Sequence, residues 1–134
     1  MAGLLEVKDV ITYPAITEDE DASIAMVTKC MRMPGLGSVV ITKGDKPVGI
    51  VTDRDIVINV IMKNRNPDAV KAKEIMSSPL VTIEADASLM GACKLLSEKG
   101  IRRLLVIDDG ELRGIVTLRN ILTREPLHVR KYLF

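Results

Sequence analysis

Gly49-Ile50-Val51-Thr52-Asp53-Arg54-Asp55 returns, 65 positions later, as Gly114-Ile115-Val116-Thr117-Leu118-Arg119-Asn120. Each stretch is a short apolar, β-branched run that breaks into polar residues at a threonine, the pattern of a strand passing into a helix. The same offset holds on both sides. Lys8-Asp9-Val10-Ile11 falls on Lys73-Glu74-Ile75-Met76, Pro14 on Pro79, Thr17 on Thr82, Asp21-Ala22-Ser23-Ile24 on Asp86-Ala87-Ser88-Leu89, Gly35 on Gly100, and Ile56 on Ile121. No gap is needed between Lys8 and Ile56, so the chain is an internal duplication. Two units are too few for an open solenoid, whose ends need caps. They are expected to pack on each other about a pseudo-twofold axis.

Each unit reads as β-α-β-β-α, an α/β arrangement of the α+β kind. A first strand is expected near Ala15 to Thr17, and at Leu80 to Ile83 in the copy. Asp21 and Asp86 precede helical patterns as N-cap types. Ile24, Val27 and Met31 recur at spacings of three and four, as do Leu89, Ala92, Cys93 and Leu96. Gly35 and Gly100 follow as helix stops. Ser38 to Thr42 and Val48 to Val51 flank Lys43-Gly44-Asp45; Leu104 to Ile107 and Leu112 to Val116 flank Asp108-Asp109-Gly110. Both read as hairpins. The last helices begin at about Asp53 and Leu118. Ile56 to Met62 is β-branched enough to pass for a strand, but the hairpin is already closed and Asp53-Arg54-Asp55 suits a helix start. Such a helix is apolar nearly all round, so a second copy of the chain is expected on its outer side. The boundaries are 1–65 for the first repeat, 66–72 for a polar linker, 73–124 for the second repeat and 125–134 for a tail. The tail holds Tyr132 and Phe134 and is expected to dock on its own or a neighbouring subunit.

Composition narrows function. The formal net charge is +1 and aromatics are 2% of the 134 residues. That disfavours nucleic acid, which asks for a basic excess and stacking platforms. Two cysteines cannot build a disulfide scaffold. No apolar run approaches a membrane span and no signal-peptide core follows Met1, so the expected address is the cytoplasm. The one histidine, His128, lies in the tail. Neither a nucleophile–base set nor a metal-ligand spacing is assembled, so neither catalytic residues nor a metal site is expected.

Both copies resemble the CBS domain, the module first described in cystathionine β-synthase, and the pair resembles a Bateman module. The likeness rests on Pro14 and Pro79 in P-x-(hydrophobic)-T, on the D-A-S-(I/L) at Asp21 and Asp86, and on G-I-V-T at Gly49 and Gly114, in that order in each copy. It covers about Lys8 to Leu122 and implies the module standing alone. It further implies a regulatory module that binds adenosine compounds in a cleft between repeats: AMP first, with ADP, ATP or S-adenosylmethionine as alternatives, and no required cofactor. It implies pairing into a four-repeat disc through helices including Ile56 to Met62, and a separately encoded protein that responds.

The resemblance places the ligand signature G-h-x-(T/S)-x-x-(D/N) on the two opening stretches. Thr52 and Thr117 would donate to phosphate near helix starts. Asp55 would accept from the ribose hydroxyls, as acidic residues do in dinucleotide folds. Asn120 lacks the charge and the second acceptor, so the first motif is expected to hold ribose better. Arg102 and Arg103 would face phosphate; the first copy has Gly37 and Ser38 there. Arg54 and Arg119 are further cations. Ile50, Ile115, Ile16 and Val81 would line the adenine. The alternative is a ligand-free module that pairs with itself and docks to a separate enzyme or transporter.

Overall fold

The computed structural model describes residues 5–11, 15–32, 36–78 and 80–124. Pro14, Gly35, Pro79 and the tail from 125 lie outside the described residues.

The fold is mixed α+β with two three-stranded sheets. In the first repeat a strand β1 (Thr17–Asp19) leads to helix α1 (Ile24–Cys30), the hairpin β2 (Ser38–Lys43) and β3 (Lys46–Thr52), and then helix α2 (Asp53–Ile56). A short helix α3 (Ala72–Ile75) opens the second copy, followed by β4 (Thr82–Glu84), α4 (Leu89–Lys99), β5 (Arg103–Asp108), β6 (Glu111–Thr117) and α5 (Leu118–Arg124). The sheet orders are β1-β2-β3 and β4-β5-β6. In each, the first pair is parallel and the hairpin antiparallel, with Val40 opposite Ile50 and Leu105 opposite Ile115. A register shift falls between Ile41 and Thr42, and again between Val106 and Ile107. The duplication therefore reaches down to an irregularity in the ladder.

Local chemistry explains the element ends. Gly100 closes α4 at φ 63°, a left-handed conformation that a Cβ would strain. The second hairpin turns through Asp109 and Gly110, both at positive φ. Two expectations shift. The N-caps are Ser23 and Ser88, not Asp21 and Asp86: their hydroxyls accept from the amides of Met26 (3.2 Å) and Gly91 (2.9 Å). Asp21 instead pairs with Lys73 at 2.9 Å and Lys71 at 3.5 Å. The Lys73 ammonium, with Lys71 behind it, holds the Asp21 carboxyl below its usual range. The first strands begin at Thr17 and Thr82, later than expected, because only from there does the parallel pairing with β2 and β5 run.

The stretch after α2 is helical, as expected, but wound wider. Val57–Ile61 forms a π-helix, with the amide of Met62 donating to the carbonyl of Val57 at 2.9 Å. Ile56 and Val60 are buried, whereas Val57, Ile58, Ile61 and Met62 are exposed. In the copy, the described helix Leu118–Arg124 is ordinary α-helix.

The packing units are offset from the sequence repeats. One unit is Ile16–Leu80; the other joins the start of the chain, through Ala15, to the residues from Val81 onward. The reason is an exchange of leading segments. Ala72 and Lys73 donate to the carbonyls of Ala22 and Glu20, and Val7 and Lys8 donate to those of Ala87 and Ala85. Val70, Ala72 and Ile75 complete a core with Ile24, Val27, Val39, Ile41, Val51 and Val60. Val7 and Val10 complete the other with Leu89, Leu96, Leu104, Val116 and Ile121. Burial of these aliphatic side chains is the main stabilising term in each unit.

Candidate functional site

Each signature closes a strand and opens a helix, and a reciprocal pair of hydrogen bonds locks the junction. The Thr52 hydroxyl accepts from the Asp55 amide at 3.1 Å, and the Asp55 Oδ2 accepts from the Thr52 amide at 2.9 Å. The copy repeats this: the Thr117 hydroxyl accepts from the Asn120 amide and the Asn120 Oδ1 accepts from the Thr117 amide, both at 3.0 Å. The capping box keeps both side chains half-buried and oriented. It also separates their chemistry. Among the described residues, the Oδ1 of Asp55 has no hydrogen-bond partner, so it remains an acceptor. The single side-chain oxygen of Asn120 is already engaged by Thr117, and its other terminal atom is a donor.

The surroundings differ in charge. In the unit Ile16–Leu80, the Gly37 carbonyl accepts from the Asp53 amide at 3.0 Å, and buried Ser38 stands opposite Thr52 in the ladder. Arg54 is exposed; its amide donates to the Asp53 carboxylate at 2.8 Å. Ile16 is half-buried and its carbonyl accepts from Val40. Ile50 is half-buried beside Thr52. In the other unit the Arg102 carbonyl accepts from the Leu118 amide at 2.8 Å, and Arg103 stands opposite Thr117. The Nε of Arg103 is buried without a hydrogen-bond partner. Such a guanidinium nitrogen gains from an acceptor brought to it. Ile115 is buried, Val81 half-buried, Arg119 exposed. Thus Ile16, Gly37, Ser38, Ile50, Thr52, Arg54 and Asp55 belong to one unit. Val81, Arg102, Arg103, Ile115, Thr117, Arg119 and Asn120 belong to the other.

Sequence reasoning overlooked Met76 and Ser77. Ser77 pairs with Ile50 in an isolated bridge on the outer edge of β3, and Met76 lies over Gly49. The bare Gly49 at the head of the motif was the available signal, since a strand glycine marks close approach of another backbone or side chain.

Neither thiol is activated. Burial pushes both Cys93 and Cys30 up, and a hydrogen bond to Glu18 adds to the effect at Cys30. Among the described residues no group of three or more His, Cys, Asp or Glu is placed to hold a metal ion. No helix there is long and apolar enough to cross a membrane.

A β-α-β-β-α unit, duplicated with a locked Thr-x-x-Asp/Asn junction in each copy, defines a tandem-repeat module. The CBS domain family model matches residues 7–61 and 72–126, and the chain belongs to that family as a tandem pair. An uncharacterised protein of Methanopyrus kandleri is 44% identical over 124 residues, 91% of this chain and 63% of its own length. The chain thus spans less than two thirds of that curated relative. A hexameric CBS-CP12 protein from bloom-forming cyanobacteria superposes with a TM-score of 0.83 at 26% identity, over 93% of this chain and 74% of its own. A CBS domain protein of Pyrobaculum aerophilum, complexed with AMP, superposes with a TM-score of 0.81 at 22% identity, over 94% and 97%.

Proposed function

We propose that the chain is a regulatory module that binds adenosine nucleotides at its strand–helix motifs and acts by binding, without catalysis. The observation that carries this is the Thr52–Asp55 lock, which spends one carboxylate oxygen on the fold and leaves the other for a ribose hydroxyl. The buried Nε of Arg103 beside Thr117 supports a phosphate acceptor in the second copy, and AMP in the Pyrobaculum relative supports the class of ligand. Ligand binding would shift the population of two arrangements that a partner protein distinguishes.

A thermal-unfolding panel tests it: AMP, ADP, ATP and S-adenosylmethionine, against guanosine nucleotides. A ligand at a hundred times its dissociation constant stabilises the chain by about 2.7 kcal/mol, a shift of several degrees. In Thr52→Ala with Asp55→Ala the shift is lost for the first motif, while the missing cap costs only about 1 kcal/mol. An undiminished shift in that double variant removes the first motif from the site. No shift from any adenosine compound leaves the ligand-free interaction module as the better reading.

A second copy of the chain is the proposed occupant of the exposed face made by Val57, Ile58, Ile61 and Met62, of which Ile61 is 62% and Met62 70% exposed. Four neighbouring apolar side chains are more than the scatter expected of a solvated helix. Sedimentation of the unmodified chain should give a dimer, and Ile61→Asp with Met62→Asp a monomer of unchanged circular dichroism. A monomer in both cases removes the assignment.

A further inference from the structure

The segment between the repeats is built onto the first motif. On β3, the edge strand of its sheet, the amide of Ile50 donates to the Ser77 carbonyl at 3.1 Å and the amide of Ser77 donates to the Ile50 carbonyl at 2.9 Å. One residue back, a Cβ on Gly49 would overlap the Met76 sulfur and come within 2.7 Å of its Cγ and 3.0 Å of its Cβ. The thioether thus lies where a side chain at position 49 would stand, and this close approach lets the segment reach pairing distance at Ile50. The segment is tied down on its other side as well. Arg65 bonds Glu74 at 2.8 Å, Glu74 accepts from the Lys71 amide at 2.7 Å, and Lys71 and Lys73 reach Asp21. Only Val51 separates the clamped Ile50 from Thr52.

We infer that Met76 and Ser77 are positioning residues of the first motif: they clamp the edge of β3 so that Thr52 and Asp55 are held in binding geometry, and the order of the segment leading into the second repeat is thereby linked to occupancy of that motif. This rests on the nucleotide-binding reading above. Linkage is reciprocal, so what loosens the clamp weakens the ligand, and the ligand tightens the clamp.

The test uses the full chain and AMP, with affinity measured by calorimetry well below each unfolding midpoint. Met76→Ala should bind AMP about tenfold more weakly, the size expected for a residue that modulates a site through its neighbours. Met76→Leu, which nearly conserves volume, should bind within about twofold of the unmodified chain. In the unmodified chain AMP should slow amide exchange at Ile50 and Ser77 about tenfold more than at Val27, whose amide bonds Ser23 within the same unit. If Met76→Ala does not fold, the exchange measurement decides. Unchanged AMP affinity in Met76→Ala, or an unchanged Ser77 amide on AMP binding, overturns the inference and leaves the nucleotide reading standing. Absence of binding by AMP, ADP, ATP and S-adenosylmethionine to the unmodified chain overturns both.

Discussion

Leu104→Ala is expected to lower the free energy of unfolding by about 3 kcal/mol and the midpoint by roughly 10 °C, to be measured by urea and thermal denaturation. Leu104 is fully buried on the central strand β5, in a core with Val7, Leu89, Leu96, Val116 and Ile121. Among the described residues this core has no aromatic side chain to close over a gap, and its neighbours are stiff β-branched or helix-anchored residues. The cavity therefore persists, and its cost adds to the lost transfer free energy. Against a total stability of about 5–15 kcal/mol, that loss is large. Ile24→Ala should act alike in the other core, where Ile24 is fully buried among Val27, Val39 and Val60. Ile61→Ala, on the exposed helix face, should stay within about 0.5 kcal/mol when measured on the monomer. A loss below about 1 kcal/mol in Leu104→Ala would mean that the site collapses around the deletion and is not a packed core.

The parts of this architecture that were legible are those in which one residue type has one physical job. Gly100 stops a helix because it takes a left-handed conformation, and Asp109-Gly110 turns a hairpin for the same reason. The apolar spacing of Leu89, Ala92, Cys93 and Leu96 marks a buried helix face, and all four are buried. The caps were misplaced by two residues because Asp21 and Ser23, like Asp86 and Ser88, are both capping types, and in each copy the serine stands directly before the first helical residue; Asp21 is left to the lysines of the segment between repeats. Residues 66–72 of that segment were read as a polar linker, and Ile75 as part of the second repeat. The linker's polarity is real, but Val70, Ala72 and Ile75 turn inward, a spacing too brief to register as a periodic pattern. The π-turn at Val57 left no glycine or proline to announce it; a run of β-branched side chains crowds the ordinary helical spacing, and the wider winding fits that crowding. In the motif, Thr52, Asp55, Thr117 and Asn120 stood out by repetition and took their expected role from the family resemblance; the structure shows them as reciprocal caps. Met76 was not, because its job is to fill space that Gly49 leaves, and a filler has no motif.

On the proposed reading, Asp55→Asn should reduce AMP affinity about thirtyfold, the loss of a hydrogen bond to a charged acceptor. The second repeat shows why the fold survives the change. Asn120 already closes the same junction with the same pair of bonds, so an asparagine at position 55 keeps the capping box. What it gives up is the oxygen left over and the charge. At an AMP concentration one hundred times the original dissociation constant, stabilisation by ligand falls from about 2.7 to about 0.9 kcal/mol, with the ligand-free midpoint almost unmoved. The missing partner can be removed from the other side: 2′-deoxy-AMP should bind the unmodified chain about as weakly as AMP binds Asp55→Asn, and the two losses should not add. Asn120→Asp runs the experiment in reverse, giving the second junction a spare carboxylate oxygen beside Arg103 and strengthening its hold on a ribose. Equal AMP affinity before and after Asp55→Asn would show that the carboxylate serves only the helix start. Additive losses with 2′-deoxy-AMP would show that the ribose is held elsewhere.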